Sequence, residues 1–328
     1  MNISVEELRK KILKTLKKNF SAKESATIAD YLIWAEASGI KTQGIVKMAG
    51  TEPLQNIKPK NEIKVEKDTK LSQLINAGAC PAPLVSSIAA DVAIKKAKEF
   101  GFGIVGVHNV FSSNGAQAFY AEKMAKESLI GIVCSRSPSS TTAFDSIDPL
   151  FGTNPIGFGF PTSKEPIIFD SATSAMTWYG LVLAKMHGET IPDDMAIDKN
   201  GNLTTDPSEA MSGALLPFDK SYKGSGFGMV VEILAGPLVG AAWVDNQSFK
   251  EEWGSLFMAI DPGLLVDVEK FKANCSDLVQ KIKSSRKKPG VNEIRLPGER
   301  ALAMRKQAEK SGMVDVDETI LKTLGYIK

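Results

Sequence analysis

Apolar residues recur at helical spacing at both ends of this chain and form short unbroken runs through its middle. Leu8, Ile12, Leu13 and Leu16 mark one face of a first helix, which Ser4 and Glu7 open as a capping box. Ser21 and Glu24 repeat the device before Ala26, Ala29, Leu32 and Ile33, and Gly39 supplies the stop. These two helices read as a hairpin. A loop or short turn is expected over residues 41–50, then a polar, lysine-rich connector over 56–70. Residues 84–100 have helical spacing and many alanines, with Gly101 just past the end. Further helices are predicted over 115–128, 177–186, 227–240 and 269–283, and through most of the tail from Arg300. Short apolar runs predict strands at 102–107, 129–134, 156–160, 165–169 and 256–260, with a short one at 292–296. Strands alternate with helices in the middle and the ends are helical, which makes the chain α/β or α+β. The expected division is a helical terminal domain, 1–70 plus 300–328, and an α/β core, 71–299. The ends are joined because termini of a compact chain are often neighbours.

Charge narrows the classes. Forty basic residues oppose 38 acidic ones across 328 positions, a net charge of +2. A nucleic-acid protein usually carries a concentrated basic face. Here the basic groups Arg9–Lys18 and Lys281–Lys288 fall on helix faces that water can solvate. No nucleic acid is expected as a partner. Three cysteines, Cys80, Cys134 and Cys275, make neither a disulfide framework nor a zinc site. Only two histidines occur, His108 and His187, so three-histidine zinc sites and HExxH are excluded and no metal is expected. No apolar run approaches the ~18 residues of a membrane span. The first residues read as an amphipathic helix and not as a signal peptide, so a cytoplasmic location is the default expectation.

Several motifs carry possible chemistry. Gly101, Gly103 and Gly106 spell GxGxxG, but they follow a helix and sit inside the predicted strand. A dinucleotide fingerprint does the reverse, so the match reads as coincidence. Ser221–Gly228, with Lys223 and Gly224, is equally a phosphate cradle before a helix or a flexible cap. Asp170 ends an apolar strand, where it could poise a proton, accept ribose or amide hydrogen bonds, or cap a following helix. Residues 152–155, GTNP, read as a tight turn. His108 follows a predicted strand and is the better placed histidine. His187 sits at a helix end, as a dipole partner would. Glu299 falls in the first turn of the last helical stretch, whose Arg300 and Arg305 could meet phosphate or water.

In order along the chain, DPLFGTNPIGFGFP (148–161), IIFDSATS, IPDDMAIDKNGNLTTDP (191–207), ALLPF (214–218), YKGSGFGMVVEILAG (222–236) and LPGE (296–299) resemble the malate/L-lactate dehydrogenase family. The resemblance covers nearly the whole chain. It implies a non-Rossmann fold on a mainly antiparallel sheet with flanking helices, and a homodimer with its sites near the interface. It implies hydride transfer between a nicotinamide cofactor, NAD or NADP, and a small carboxylate substrate. That substrate would be a 2-hydroxy acid with its 2-oxo acid, or a cyclic imino acid. Cofactor contacts implied are Ser113, Asn114, Gly115 and Ala116, then Ser137, then Asp170, Ser171 and Ala172, then Lys223 and Gly224, then Pro297, Gly298, Glu299 and Arg305.

Where the family reads Ser-His-Gly followed by an arginine, this chain reads Thr42, Gln43, Gly44 and then Lys47. A second family histidine is Ser113 here, and His108 lies five positions upstream. Gln43 can hydrogen-bond but cannot shuttle a proton near pH 7. Three readings are open: an iminium substrate that needs no acid; a replacement acid, with Asp170 the best placed and His108 or a water on Thr42 and Gln43 behind it; or a non-catalytic nucleotide- or metabolite-binding protein. Lys47 is expected to meet the substrate carboxylate, and Thr42, Gln43 and His108 to line the reacting group.

Overall fold

The computed structural model describes residues 1–49, 53–57, 61–244 and 253–327. Gly50 and residues 58–60, at the edges of the predicted loop and connector, lie outside the described residues. The chain begins with β1 (Asn2–Ser4), α1 (Val5–Leu16) and α2 (Ala22–Ala37). Ser21 and Glu24 form the full reciprocal box. At Ser4 only half of the expected box exists: the hydroxyl accepts from the Glu7 N–H, while the Glu7 carboxylate turns to Lys11, 3.5 Å away. Leu8, Ile12 and Leu16 are buried as the stripe requires. Beyond Gly39, two short 3-10 turns, Lys41–Gln43 and Ile45–Met48, occupy the predicted loop.

The predicted connector contains β2 (Lys64–Asp68), which pairs with a further unpredicted strand, β3 (Ser72–Asn76). Every residue of β2 is exposed. An edge strand open to water has no buried face to impose alternation, so its pattern is silent. Then come α3 (Ala82–Phe100), β4 (Phe102–Val110), α4 (Gln117–Lys126) and β5 (Ile130–Arg136). Next are β6 (Thr141–Thr142), β7 (Pro149–Phe151), β8 (Ile156–Phe160), β9 (Ile167–Ser171) and α5 (Trp178–His187). The chain continues through β10 (Ala196–Ile197), β11 (Leu203–Thr204), α6 (Pro207–Ser212), β12 (Ala214–Leu215) and α7 (Tyr222–Ala235). It closes with β13 (Trp253–Ile260), α8 (Val268–Lys283), α9 (Glu299–Ser311), β14 (Met313–Asp315) and α10 (Glu318–Thr323). Residues 292–296 are extended but pair with no strand among the described residues, which corrects the predicted strand there. Their backbone is held by side chains: Lys287 Nζ donates to the Asn292 carbonyl, and the Leu296 N–H donates to Glu299.

The large sheet has seven strands in the order β2-β3-β4-β13-β5-β8-β9. Only β3 and β4 run parallel. A five-stranded sheet, β11-β10-β12-β6-β7, has one parallel pair, β12 with β6. The expected mainly antiparallel, non-Rossmann architecture is therefore present. β1 and β14 pair antiparallel and join the two ends of the chain. On β13, Phe257 packs with Tyr120, Met124 and Val105 on one face, and its neighbour Leu256 packs with Val231 and Ala235 of α7 on the other. The two-residue period of a strand thus builds a core on each side of the sheet. Gly103 and Gly106 lie in mid-strand, where a Cβ on Gly103 would stand 2.3 Å from the Ala93 carbonyl of α3. These glycines serve close helix–sheet packing.

Candidate active site

A cavity of about 600 Å³ opens between the short turns near residue 43, the N-terminus of α4, the end of β9, and the α8–α9 segment. Thr42, Gln43, Ser113, Asn114, Gly115, Ala116, Asp170, Ser171, Ala172, Pro297, Gly298, Glu299 and Arg305 all line it. The sequence reading named each of these from scattered segments. The structure also brings in Trp34, Ser135 and Trp253, which that reading did not name, and Thr153 and Lys283, which it read as parts of a tight turn and of a solvated helix face. The signal of the first three is weak in sequence because each sits among ordinary core residues.

Tyr31 of α2 locks the inner wall. Its buried hydroxyl donates to the Gln43 carbonyl at 3.0 Å and accepts from the Ala116 N–H at 2.6 Å. One phenol thereby fixes both loops, and burial pushes its ionisation far above the usual range. Gly115 has φ +80°, and a Cβ there would meet the phenol oxygen at 1.7 Å. Glu36, also on α2, accepts from the Ile45 N–H at 2.7 Å and pairs with Lys41 at 3.3 Å. Burial raises its carboxyl, and the Lys41 charge and Ile45 N–H partly offset this. Gly44 leaves room for that carboxylate, which a Cβ would approach to 2.2 Å. The Thr42–Gln43 turn is thus held from beneath. The Gln43 side-chain oxygen is buried and has no hydrogen-bond partner among the described residues.

Asp170 does not cap the segment that follows it, because no helix begins until Trp178. It caps α4 from outside instead: its carboxylate accepts the Ala118 N–H at 2.9 Å, and α4 has no side-chain cap of its own. Desolvation pushes its pKa up to about 6, against the pull of the Ala118 and Gln117 N–H groups. The residue as a whole is half-buried, so the carboxyl is enclosed while part of the side chain still faces the cavity.

Five of the sequence candidates do not line the cavity. Lys47 is buried behind Ser113, its ammonium 2.8 Å from the Ser113 hydroxyl. Ser137 accepts from the Thr153 N–H at 3.1 Å and so braces a wall residue. His108 sits within β4, which runs three residues past its predicted end, and meets Glu66 of β2 at 2.8 Å. That pairing turns it to the sheet edge. Lys223 and Gly224 belong to the first turn of α7, which starts five residues before the predicted helix. Their N–H groups donate to Ser221 and Asp219. An acid therefore stands where the cradle reading would put phosphate. His187 pairs with Asp317 at 2.9 Å, away from the cavity.

The GTNP turn does more than turn. Asn154 is buried, accepts from the Ser137 N–H, and donates to the Gly228 carbonyl and to Glu232 at 2.8 Å. Glu232 faces Arg136 at 3.3 Å, a buried ion pair joining α7 to β5. At the rim, Glu299 pairs with Lys283 at 2.6 Å. Arg305 donates to Glu122 and Ser38 and lies 4.8 Å from the Trp34 ring, so it braces α9 against α2 and α4 instead of facing water.

Solved structures that share this fold include dehydrogenases and a delta1-piperideine-2-carboxylate reductase. Malate dehydrogenase from Entamoeba histolytica superposes with a TM-score of 0.91 at 25% identity, over 99% of this chain and 96% of that one. Sulfolactate dehydrogenase from Methanocaldococcus jannaschii gives 0.86 at 28% identity, over 99% and 95%. Fold and cavity therefore define a dehydrogenase or reductase built without a Rossmann sheet. The sequence profile of the malate/L-lactate dehydrogenase family matches residues 3–325, and the chain belongs to that family. The malate/(S)-sulfolactate dehydrogenase of Methanothermus fervidus is 35% identical over 100% of this chain and 97% of its own length. The Delta(1)-pyrroline-2-carboxylate/Delta(1)-piperideine-2-carboxylate reductase of Pseudomonas putida is 32% identical over 74% and 71%.

Proposed function

We propose that this enzyme transfers hydride between a nicotinamide dinucleotide, NAD or NADP, and a small 2-hydroxy acid and its 2-oxo acid. The observation that carries the reading is the convergence of Thr42, Gln43, Ser113 and Asp170 on one cavity whose outer wall carries Lys164, Lys283, Arg295 and Arg300. One relative similar over nearly its full length is a malate/(S)-sulfolactate dehydrogenase. The residues fit a dinucleotide: apolar walls at Trp34, Ile168 and Leu302, hydroxyls at Ser113 and Thr153, a buried acceptor on Gln43 with no partner among the described residues, and a cationic rim for phosphate. The groups that would hold it are the 113–116 loop, Asp170–Ala172 and the Pro297–Arg305 stretch. When bound, the reduced nicotinamide supplies the hydride. The protein supplies position, which is most of what hydride transfer requires. Tyr31 and Glu36 fix the Gln43 turn. Asp170, committed to the α4 N-terminus, is assigned to holding cofactor.

A cyclic imino acid is the second reading, and Gln43 favours it. Its bare side-chain oxygen is an acceptor where an iminium N–H would need one. We further propose a homodimer. Phe227, Met229, Val230 and Ile233 of α7 are between 44% and 53% exposed, an apolar face that a second copy would cover. Among the described residues no helix is long and apolar enough to cross a membrane, and the three cysteines are free. A cytoplasmic setting belongs to the same proposal.

The test is a fluorescence titration with NADH and NADPH, followed by a panel of 2-oxo acids and cyclic imino acids. Oxidation of the bound cofactor by a 2-oxo acid is expected. Turnover on imino acids alone would select the second reading. Binding without any turnover would leave a nucleotide-binding protein, and failure to bind either dinucleotide would refute the proposal.

A further inference from the structure

Lys47 is 2% exposed and sits on the short turn after Gln43. Its ammonium donates to the Ser113 hydroxyl at 2.8 Å and lies 3.6 Å from the centre of the Tyr179 ring. A lysine is almost never fully buried without partners that compensate its charge. Among its partners are a ring face and one hydroxyl that lines the cavity. That hydroxyl also accepts from the Gly115 N–H at 3.2 Å. A serine hydroxyl has two acceptor lone pairs and one hydrogen. Both lone pairs are engaged by N–H donors, so the hydrogen is what Ser113 has left to give. Gln43, His108 and Asp170 do not match this placement. Gln43 cannot release a proton near neutrality, His108 is paired at the sheet edge, and Asp170 accepts from α4.

We propose that Ser113 protonates the substrate's carbonyl oxygen and that Lys47 supplies the proton through it. This rests on the 2-oxo-acid reading above. Hydride addition at the carbonyl carbon moves the C=O π pair onto oxygen. That oxygen takes the Ser113 Oγ proton, Oγ takes a proton from Lys47 Nζ, and the resulting amine is recharged from solvent. The balance is 2-oxo acid, reduced dinucleotide and one proton to 2-hydroxy acid and oxidised dinucleotide. In the opposite direction the neutral amine receives the proton. The cation beside Oγ also favours the negative charge that Oγ carries during the exchange. Ser113 is the catalytic residue of the pair, and Lys47, which acts through it, is a positioning residue.

The experiment uses the full chain with Ser113→Ala, Ser113→Thr, Lys47→Met and Lys47→Arg. NADH and NADPH titrations are expected to change by no more than about threefold in the two Lys47 variants, because Lys47 lies behind the cavity wall and not on it. In lysine-nitrogen-15-labelled protein without cofactor, the Lys47 ammonium signal, assigned by its loss in Lys47→Arg, is expected to move in Ser113→Ala. With a 2-oxo acid, Ser113→Ala and Lys47→Met are expected to lose ~10²–10⁴ in kcat with little change in KM. Ser113→Thr keeps the hydroxyl and should stay within about tenfold. Lys47→Arg keeps the charge but cannot give up a proton, and should resemble Lys47→Met in kcat. A cyclic iminium substrate needs no proton and should lose less than about tenfold in every variant. Ketone turnover that survives Ser113→Ala, equal losses on ketone and iminium, or cofactor binding lost in the Lys47 variants would overturn the pair while leaving the 2-oxo-acid reading in place. A wild-type enzyme that binds cofactor yet reduces no 2-oxo acid would overturn that reading, and the pair with it.

Discussion

The inner and outer walls of the cavity are built on different physics. The inner wall is held by buried groups from distant parts of the chain. Tyr31 spans to Gln43 and Ala116, Glu36 to Ile45, Lys47 to Ser113, and Asp170 to Ala118. The outer wall is α8, which has no buried residue, and α9, joined to its surroundings partly by exposed pairs such as Lys306 with Glu165 at 2.5 Å. A buried hydrogen bond is costly to break because the group left behind is desolvated and unmatched. An exposed ion pair contributes little and is screened by salt. The inner wall can therefore hold reacting atoms in fixed positions, while the outer wall offers charge and access.

Gly115→Ala should break this contrast most severely. The new Cβ would stand 1.7 Å from the Tyr31 hydroxyl, on a backbone at φ +80° that L side chains rarely adopt. Left-handed backbone and overpacking together predict a loss of about 2–5 kcal/mol. Relief of the clash must move Tyr31, and with it the hydrogen bonds that hold both loops. Chemical unfolding of the cofactor-free chain measures the first effect, and NADH titration the second. Near-wild-type values in both would show that the Tyr31 clamp is soft.

Asp170→Asn sharpens the contrast through pH. The amide oxygen can keep the bond from the Ala118 N–H, while the charge is removed. In the wild type, burial raises the Asp170 pKa to about 6, above its ordinary value near ~3.9. The folded state then holds its proton at pH values where the unfolded chain has released it. Stability contributed by this group is present at low pH, falls as pH rises from about 4 to about 6, and is level above that, by at most ~3 kcal/mol in total. Glu36 and Glu232 are shifted upward by burial as well. The difference between wild-type and variant curves, each from melts across pH 4–8, isolates Asp170. A difference that does not change over that span would show the carboxyl to be solvated.

These two residues also show what the sequence could and could not disclose. Asp170 was nameable because it lies in a short string that resembles a family, and Gly115 because it stands two residues after the place of a family histidine; the cavity gathers three of the six strings. Their partners were not. Tyr31 lies 85 positions from Ala116, and Asp170 lies 52 from Ala118. No local spacing rule reaches that far, so Asp170 read as a cap for the wrong helix. The helices were readable because a buried stripe at helical spacing, as at Leu8, Ile12 and Leu16, is a strong signal. Strand β2 was silent because water covers both its faces, and 292–296 imitated a strand because side chains, not a neighbouring strand, hold its extended backbone. Lys223 and Gly224 drew attention as a glycine-rich cradle, yet Asp219 and Ser221 already occupy the donors such a cradle would offer.

Lys306→Ala probes the outer wall and should have the smallest effect. Lys306 and Glu165 are each about half exposed, and removal of one partner from such a pair costs roughly 0–1 kcal/mol. The functional effect has a definite sign. Glu165 lines the cavity, and without Lys306 it loses its ion-pair partner, which adds negative charge to a wall that otherwise carries cations. An anionic dinucleotide should then bind about two- to threefold more weakly at low salt, with the deficit fading as ionic strength approaches ~0.5 M. Titrations of NADH at two salt concentrations decide it. A deficit that persists at high salt would mean that the outer wall, like the inner one, acts by position and not by charge.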